Sequence, residues 1–175
     1  MRFAYTSLTK DEVWAITHHA ERVAARNERM GVPIYHLHNR LDTYAKLLRL
    51  GFLGEAAAAK LAPLRGCRPG PDWIDAPDLI MPDDTTIVEV KTVDHPTLNL
   101  VVADRANVGH SHIYLLMEQL DLYHYACLGG ALRADIINPE RLRTDGKYNK
   151  RPAYFMHQRE LKSPEELLKN LKQGP

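Results

Sequence analysis

The stretch "APDLIMPDDTTIVEVKTVDH", residues 76–95, decides how this chain is read. Two short apolar runs flank Pro82, Asp83, Asp84, Thr85 and Thr86, all turn-forming residue types, so the segment predicts a β-hairpin. Charge nevertheless sits inside both arms, as Asp78 in the first and as Glu89 and Lys91 in the second. Side chains alternate along a strand, so Glu89 and Lys91 share one face while Val88, Val90 and Thr92 take the other. Two charges at i and i+2 on a valine-rich strand imply a face that opens at one end to solvent or to a ligand. Ten residues separate Asp78 from Glu89, and a hairpin of that span brings the two carboxylates together.

Close carboxylates repel unless a cation lies between them. Hard oxygen ligands of this kind suit Mg²⁺ or Mn²⁺, which take few carboxylates and keep waters for a phosphate-bearing substrate. A lysine two residues on would hold a phosphate oxygen or an attacking water, a layout suited to phosphodiester hydrolysis. An isolated Glu-x-Lys is ordinarily only an exposed pair on an edge strand. Here the Pro-Asp, the hairpin spacing and the Glu-x-Lys occur together.

Upstream, the chain predicts helices. Thr9 and Glu12 have capping-box spacing, and Val13, Ile16, Ala20, Val23 and Ala24 follow with helical period. A first helix is expected over Lys10–Arg29, stopping at Gly31 and Pro33. A second helical region is expected over residues 39–61, with Leu41, Tyr44, Leu47 and Leu48 as its apolar stripe and "EAAAAKLA" as a strong helix former. Gly51 and Gly54 interrupt it, reading as a kink, a break or a close approach to the sheet. Residues 63–72 form a loop dense in Pro and Gly.

Downstream, strands are expected over residues 73–81, 86–93, 112–119 and 122–132, with 97–104 extended. A rival reading makes 113–128 one buried helix; the clustered β-branched and aromatic residues favour two strands. Ser163, Pro164 and Glu166 open a capped C-terminal helix over residues 163–172. Helices first and a mostly antiparallel run of strands after them predict a mixed α/β, or α+β, fold.

Composition sets bounds around this reading. The 175 residues suit one domain, in which 45% hydrophobic and 26% charged residues indicate a folded chain. No apolar run is long enough to span a bilayer, and the N-terminus lacks a signal-peptide core. Cys67 and Cys127 stand apart without zinc or disulfide spacing, so a reducing, intracellular, cytoplasmic setting is expected. Net charge is +1, but from residue 130 onward ten Lys/Arg face six Asp/Glu. That basic segment is compatible with a phosphate-facing surface or with an ordinary solvated one.

With Pro77-Asp78 on one strand and Glu89-Val90-Lys91 on the next, the sequence resembles the PD-(D/E)XK nuclease superfamily, the restriction-endonuclease-like fold. The resemblance spans about residues 40–130 and is strong only at residue 55 and residues 77–91. It implies one nuclease-like domain over residues 1–175: a helical part (1–62), a catalytic sheet (72–135) of four to five mixed strands, and a basic extension (136–175). Asp78, Glu89 and the Val90 carbonyl would hold Mg²⁺ or Mn²⁺, with Glu55 of "GFLGEAAAAKL" as a further ligand from the preceding helix. Lys91 would position or activate the water. Gln119 and Tyr123 match a Gln-x-x-x-Tyr spacing that some branches carry on a helix, whereas a β-hairpin is the plain reading here. Arg105, His110, His112, Gln119, Lys147, Lys150 and Arg151 are candidates for phosphate contacts. The implied partner is DNA, with no membrane. Homodimerisation would allow both strands to be cut, and the small size suits a stand-alone DNA-processing enzyme of a mobile element or virus. A silent binding module on the same fold, or an unrelated α+β domain, stands as the alternative.

Overall fold

A computed structural model describes residues 2–31, 41–70, 78–95, 99–104, 111–144 and 152–173. The chain opens with strand β1 (Ala4–Ser7), followed by helix α1 (Lys10–Arg29). Thr9 caps α1 as the spacing predicts: its side chain accepts from the Glu12 N–H, and Glu12 accepts from the Thr9 N–H at 2.7 Å. Gly31 ends it with a φ of +65°, a conformation in which Cβ is strained. Helix α2 (Leu41–Ala59) runs through Gly51 and Gly54 without a break.

Two short strands, β2 (Arg68–Pro69) and β3 (Leu79–Ile80), lead into β4 (Ile87–Val93), the Glu-x-Lys strand. Residues 73–77 of the expected first motif strand lie outside the described residues. In the turn, the Asp83 carboxylate accepts from the N–H groups of Thr85 and Thr86 and from the Thr86 hydroxyl. These bonds to the ionised form hold its pKa down at about 2. The hairpin therefore has its own local lock.

After β5 (Asn99–Ala103), the hairpin of β6 (Ile113–Gln119) and β7 (His124–Leu132) bears out the two-strand reading over a single helix. Gln119 ends β6 and Tyr123 lies in the connecting turn, so the Gln-x-x-x-Tyr spacing is not carried on a helix. The chain finishes with the short helix α3 (Arg133–Ile136), strands β8 (Leu142–Arg143) and β9 (Ala153–His157), and helix α4 (Pro164–Gln173). Ser163 accepts from the Glu166 N–H, the expected cap.

The fold is mixed α/β. Its main sheet has six strands in the order β1-β7-β6-β4-β3-β2, rather than four or five. The two additions lie at its edges: β1 pairs with β7, and β2 pairs with β3. A smaller sheet, β5-β9-β8, draws on the supposed extension. One side of the main sheet buries Leu79, Val88, Val90, Ile113, Leu115 and Met117 against Leu53, Ala57 and Ala58 of α2 and Leu167 of α4. The other side buries Tyr114, Leu116, Leu128 and Ala131 against Leu100, Val102 and Met156 of the smaller sheet. Strand β6 is covered on both faces, which is why its sequence is a nearly continuous apolar run. Among the described residues, no helix is long and apolar enough to cross a membrane.

Candidate functional site

The β3–β4 pairing sets Leu79 opposite Val88 and Ile80 opposite Ile87. Continuing that register by one residue puts Asp78 opposite Glu89, where cross-strand side chains stand close on one face. Strand β3 stops short of Asp78, and the Asp78 side chain takes over the pairing: its Oδ2 accepts the Val90 N–H at 2.6 Å. The Asp78 carbonyl accepts from Gly70 on its other side at 3.0 Å. A strand residue directs its N–H and C=O to the same side, so the Val90 carbonyl shares the side on which Asp78 lies.

Electrostatics single out Asp78. Burial, and next the charge of Glu89, push its pKa up to about 6, against the pull of Lys91 and the Val90 N–H. Glu89 ion-pairs with Lys91 through Oε1, while its Oε2 accepts from the Ser111 hydroxyl at 3.5 Å. The Glu89 and Lys91 side chains keep 24% and 36% of their surface, so both can be reached from solvent.

Parallel pairing of β4 with β6 sets Glu89 beside Tyr114 and Lys91 beside Leu116. The charged pair thus faces the side of the smaller sheet, and the valines face α2. Tyr114 is buried and joins the site electrically: burial and then Glu89 raise its pKa, while Ser111, Lys91 and Arg133 oppose that rise. His112 braces the start of β4, accepting the Ile87 N–H on Nδ1 at 3.2 Å and donating its own N–H to the Ile87 carbonyl at 2.9 Å. Sequence reading missed Ser111, Tyr114 and Arg133. Their neighbours become apparent only from the parallel register, which no local pattern announces.

Asp78, Glu89, Val90 and Lys91 come together; the remaining candidates divide. Glu55 is half-buried on α2, the helix that covers the valine side of β4. Among the described residues, no three His, Cys, Asp or Glu side chains converge as an ion-binding set. Gln119 lies five residues along β6 from Tyr114, about 16 Å at strand rise, and donates to the Tyr125 hydroxyl at 2.7 Å. Pro77, Arg105, His110, Lys147, Lys150 and Arg151 lie outside the described residues.

Two adjacent carboxylates, one of them with its pKa raised by burial and then by the charge of the other, form a donor set that a hard divalent cation would relieve. The residues present fit such an ion. No family model, no curated protein and no solved structure matches this chain.

Proposed function

We propose that the protein is a metal-dependent nuclease of the PD-(D/E)XK type, acting on DNA. The observation that carries the reading is the half-buried Asp78 carboxylate opposite Glu89, with Lys91 on the strand and face of Glu89. The restriction-endonuclease-like core belongs to this proposal. Its support is a helix packed on the motif hairpin and the parallel pairing of the Glu-x-Lys strand with β6. One departure weighs against a close kinship: the described part of the crossover from β4 to β6 is a strand, β5, and not a helix.

Asp78, Glu89 and the Val90 carbonyl would hold Mg²⁺ or Mn²⁺. When bound, the ion supplies a water of lowered pKa and offsets charge on the phosphate. Asp78 is kept in place by the Val90 N–H, and Glu89 by Ser111 and Lys91. Lys91 orients the attacking water and stabilises negative charge on the phosphate oxygens, a role suited to a cation on a long stem.

The test is cleavage of labelled linear, circular and branched DNA with Mg²⁺ or with chelator. Wild type is expected to cut only with the ion, and Asp78→Ala and Lys91→Ala are expected to lose at least about a hundredfold in rate. Undiminished cutting by either variant sinks the assignment. Ion-independent binding without cutting by the wild type would favour the silent module.

A further inference from the structure

A second polar group lies across the sheet from the carboxylate pair. Glu89 is beside Tyr114, and Tyr114 is beside Ala131 on β7, all on the side of the smaller sheet. Arg133 follows two residues later, where β7 ends, and the His112 carbonyl accepts its backbone N–H at 3.0 Å. Two strand spacings of about 4.8 Å separate Glu89 from Ala131, and Arg133 opens α3 two residues beyond Ala131. Its charge, like those of Glu89 and Lys91, reaches the Tyr114 phenol. The side chain is exposed, and among the described residues it makes no hydrogen bond or ion pair. Nearby Arg and Lys side chains differ in this respect: Arg141 is paired with Glu160, and Lys162 with Asp135.

We infer that Arg133 binds a backbone phosphate next to the one that reacts at the Asp78–Glu89 pair, so that the nucleic-acid strand passes along the rim of the sheet where β6 begins and β7 ends, past the exposed His112. The planar guanidinium suits this task, because it meets a phosphate through two parallel N–H donors. Tyr114 and Ala131, in the middle of the row, are covered by the smaller sheet. The polar ends, Glu89 with Lys91 and Arg133, are then the groups that a strand would touch. This inference rests on the nuclease reading and adds where the substrate lies.

The experiment measures binding of a 5′-labelled DNA duplex to Asp78→Asn protein without divalent ions across a salt series, and cleavage with Mg²⁺ in the wild-type background. Arg133→Gln added to Asp78→Asn is expected to weaken binding about tenfold and to flatten the salt slope by about one. Arg133→Lys should recover part of the affinity, since it keeps the charge but not the fork. In the wild-type background the loss should fall mainly in KM. Arg22→Gln, an exposed site on α1, controls for general charge. Unchanged affinity and slope in Arg133→Gln, equal weakening by Arg22→Gln, or no binding at low salt would each overturn the inference. Asp78→Asn protein that still cuts DNA refutes the nuclease reading; inactive Asp78→Asn with an indifferent Arg133→Gln refutes only the Arg133 assignment.

Discussion

Asp78 shows how one residue is made costly by its neighbours. Its pKa stands near 6 in the folded chain against an ordinary 3.8, so folded protein holds a proton that unfolded protein has released. Stability of the ion-free protein should therefore fall as pH rises from about 4 to about 6, and stay low above that. Asp78→Asn removes the charge and keeps an oxygen for the Val90 N–H. The variant is expected to unfold at higher temperature than wild type at pH 7.5, by several degrees, with the gap shrinking at pH 5. A shift of this size is worth about 1–3 kcal/mol, and about 2–4 °C per kcal/mol is expected for a domain of this length. Thermal melts by circular dichroism at both pH values, with and without Mg²⁺, check it; a gap that grows toward low pH would refute the cause. Added Mg²⁺ should stabilise wild type more than Asp78→Asn. The Asp78–Glu89–Lys91 grouping was legible in the sequence because alternation and hairpin spacing are local rules. Ser111 was not, since its contact with Glu89 spans 22 residues and depends on the parallel register.

At the scale of elements, the decisive contact is between α2 and β4. A Cβ on Gly54 would stand 1.8 Å from the Thr92 hydroxyl oxygen and 2.7 Å from two Thr92 carbons. Of the three readings open for the glycines, Gly54 takes the close approach of helix to sheet. Thr92 Oγ1 is buried beneath it with no hydrogen-bond partner among the described residues. Gly54→Ala is expected to destabilise by about 1–3 kcal/mol through overpacking. Thr92→Val, which exchanges the lone hydroxyl for a methyl of similar size, is expected to stabilise by about 1 kcal/mol. Urea unfolding of both variants tests this, and a tolerated Gly54→Ala would show that helix and sheet are not locked there. Another glycine carries the bulge in β7: Gly129, at a φ of +106°, follows the extra residue Leu128 where the β6–β7 register shifts. The helices α1 and α4 were readable from caps and period. Strands β1, β2, β8 and β9 were not, because segments of two to five residues carry too little pattern to stand apart from loop.

For the whole molecule, the largest revision concerns residues 136–175. They read as a basic extension but complete the fold: β9 pairs with β5 along five residues, and Met156 and Leu161 seal the second core. Leu167 of α4 enters the first core, fully buried. Met156→Ala is expected to cost about 2–5 kcal/mol as a cavity mutation, and a chain ending at residue 144 should lose cooperative unfolding. Urea transitions followed by tryptophan fluorescence check both, and a truncated chain with an unchanged midpoint would show the extension to be an appendage after all. By itself the sequence determined the helices with strong caps, the charged hairpin and the mixed class, since each follows from residues near one another along the chain. Tertiary structure alone decided the two outer strands of the main sheet, the second sheet, and the row that carries Glu89 across Tyr114 to Ala131, next to Arg133. Those depend on which strands lie side by side, a choice made by burying both faces of β6 at once, which no window along the chain contains.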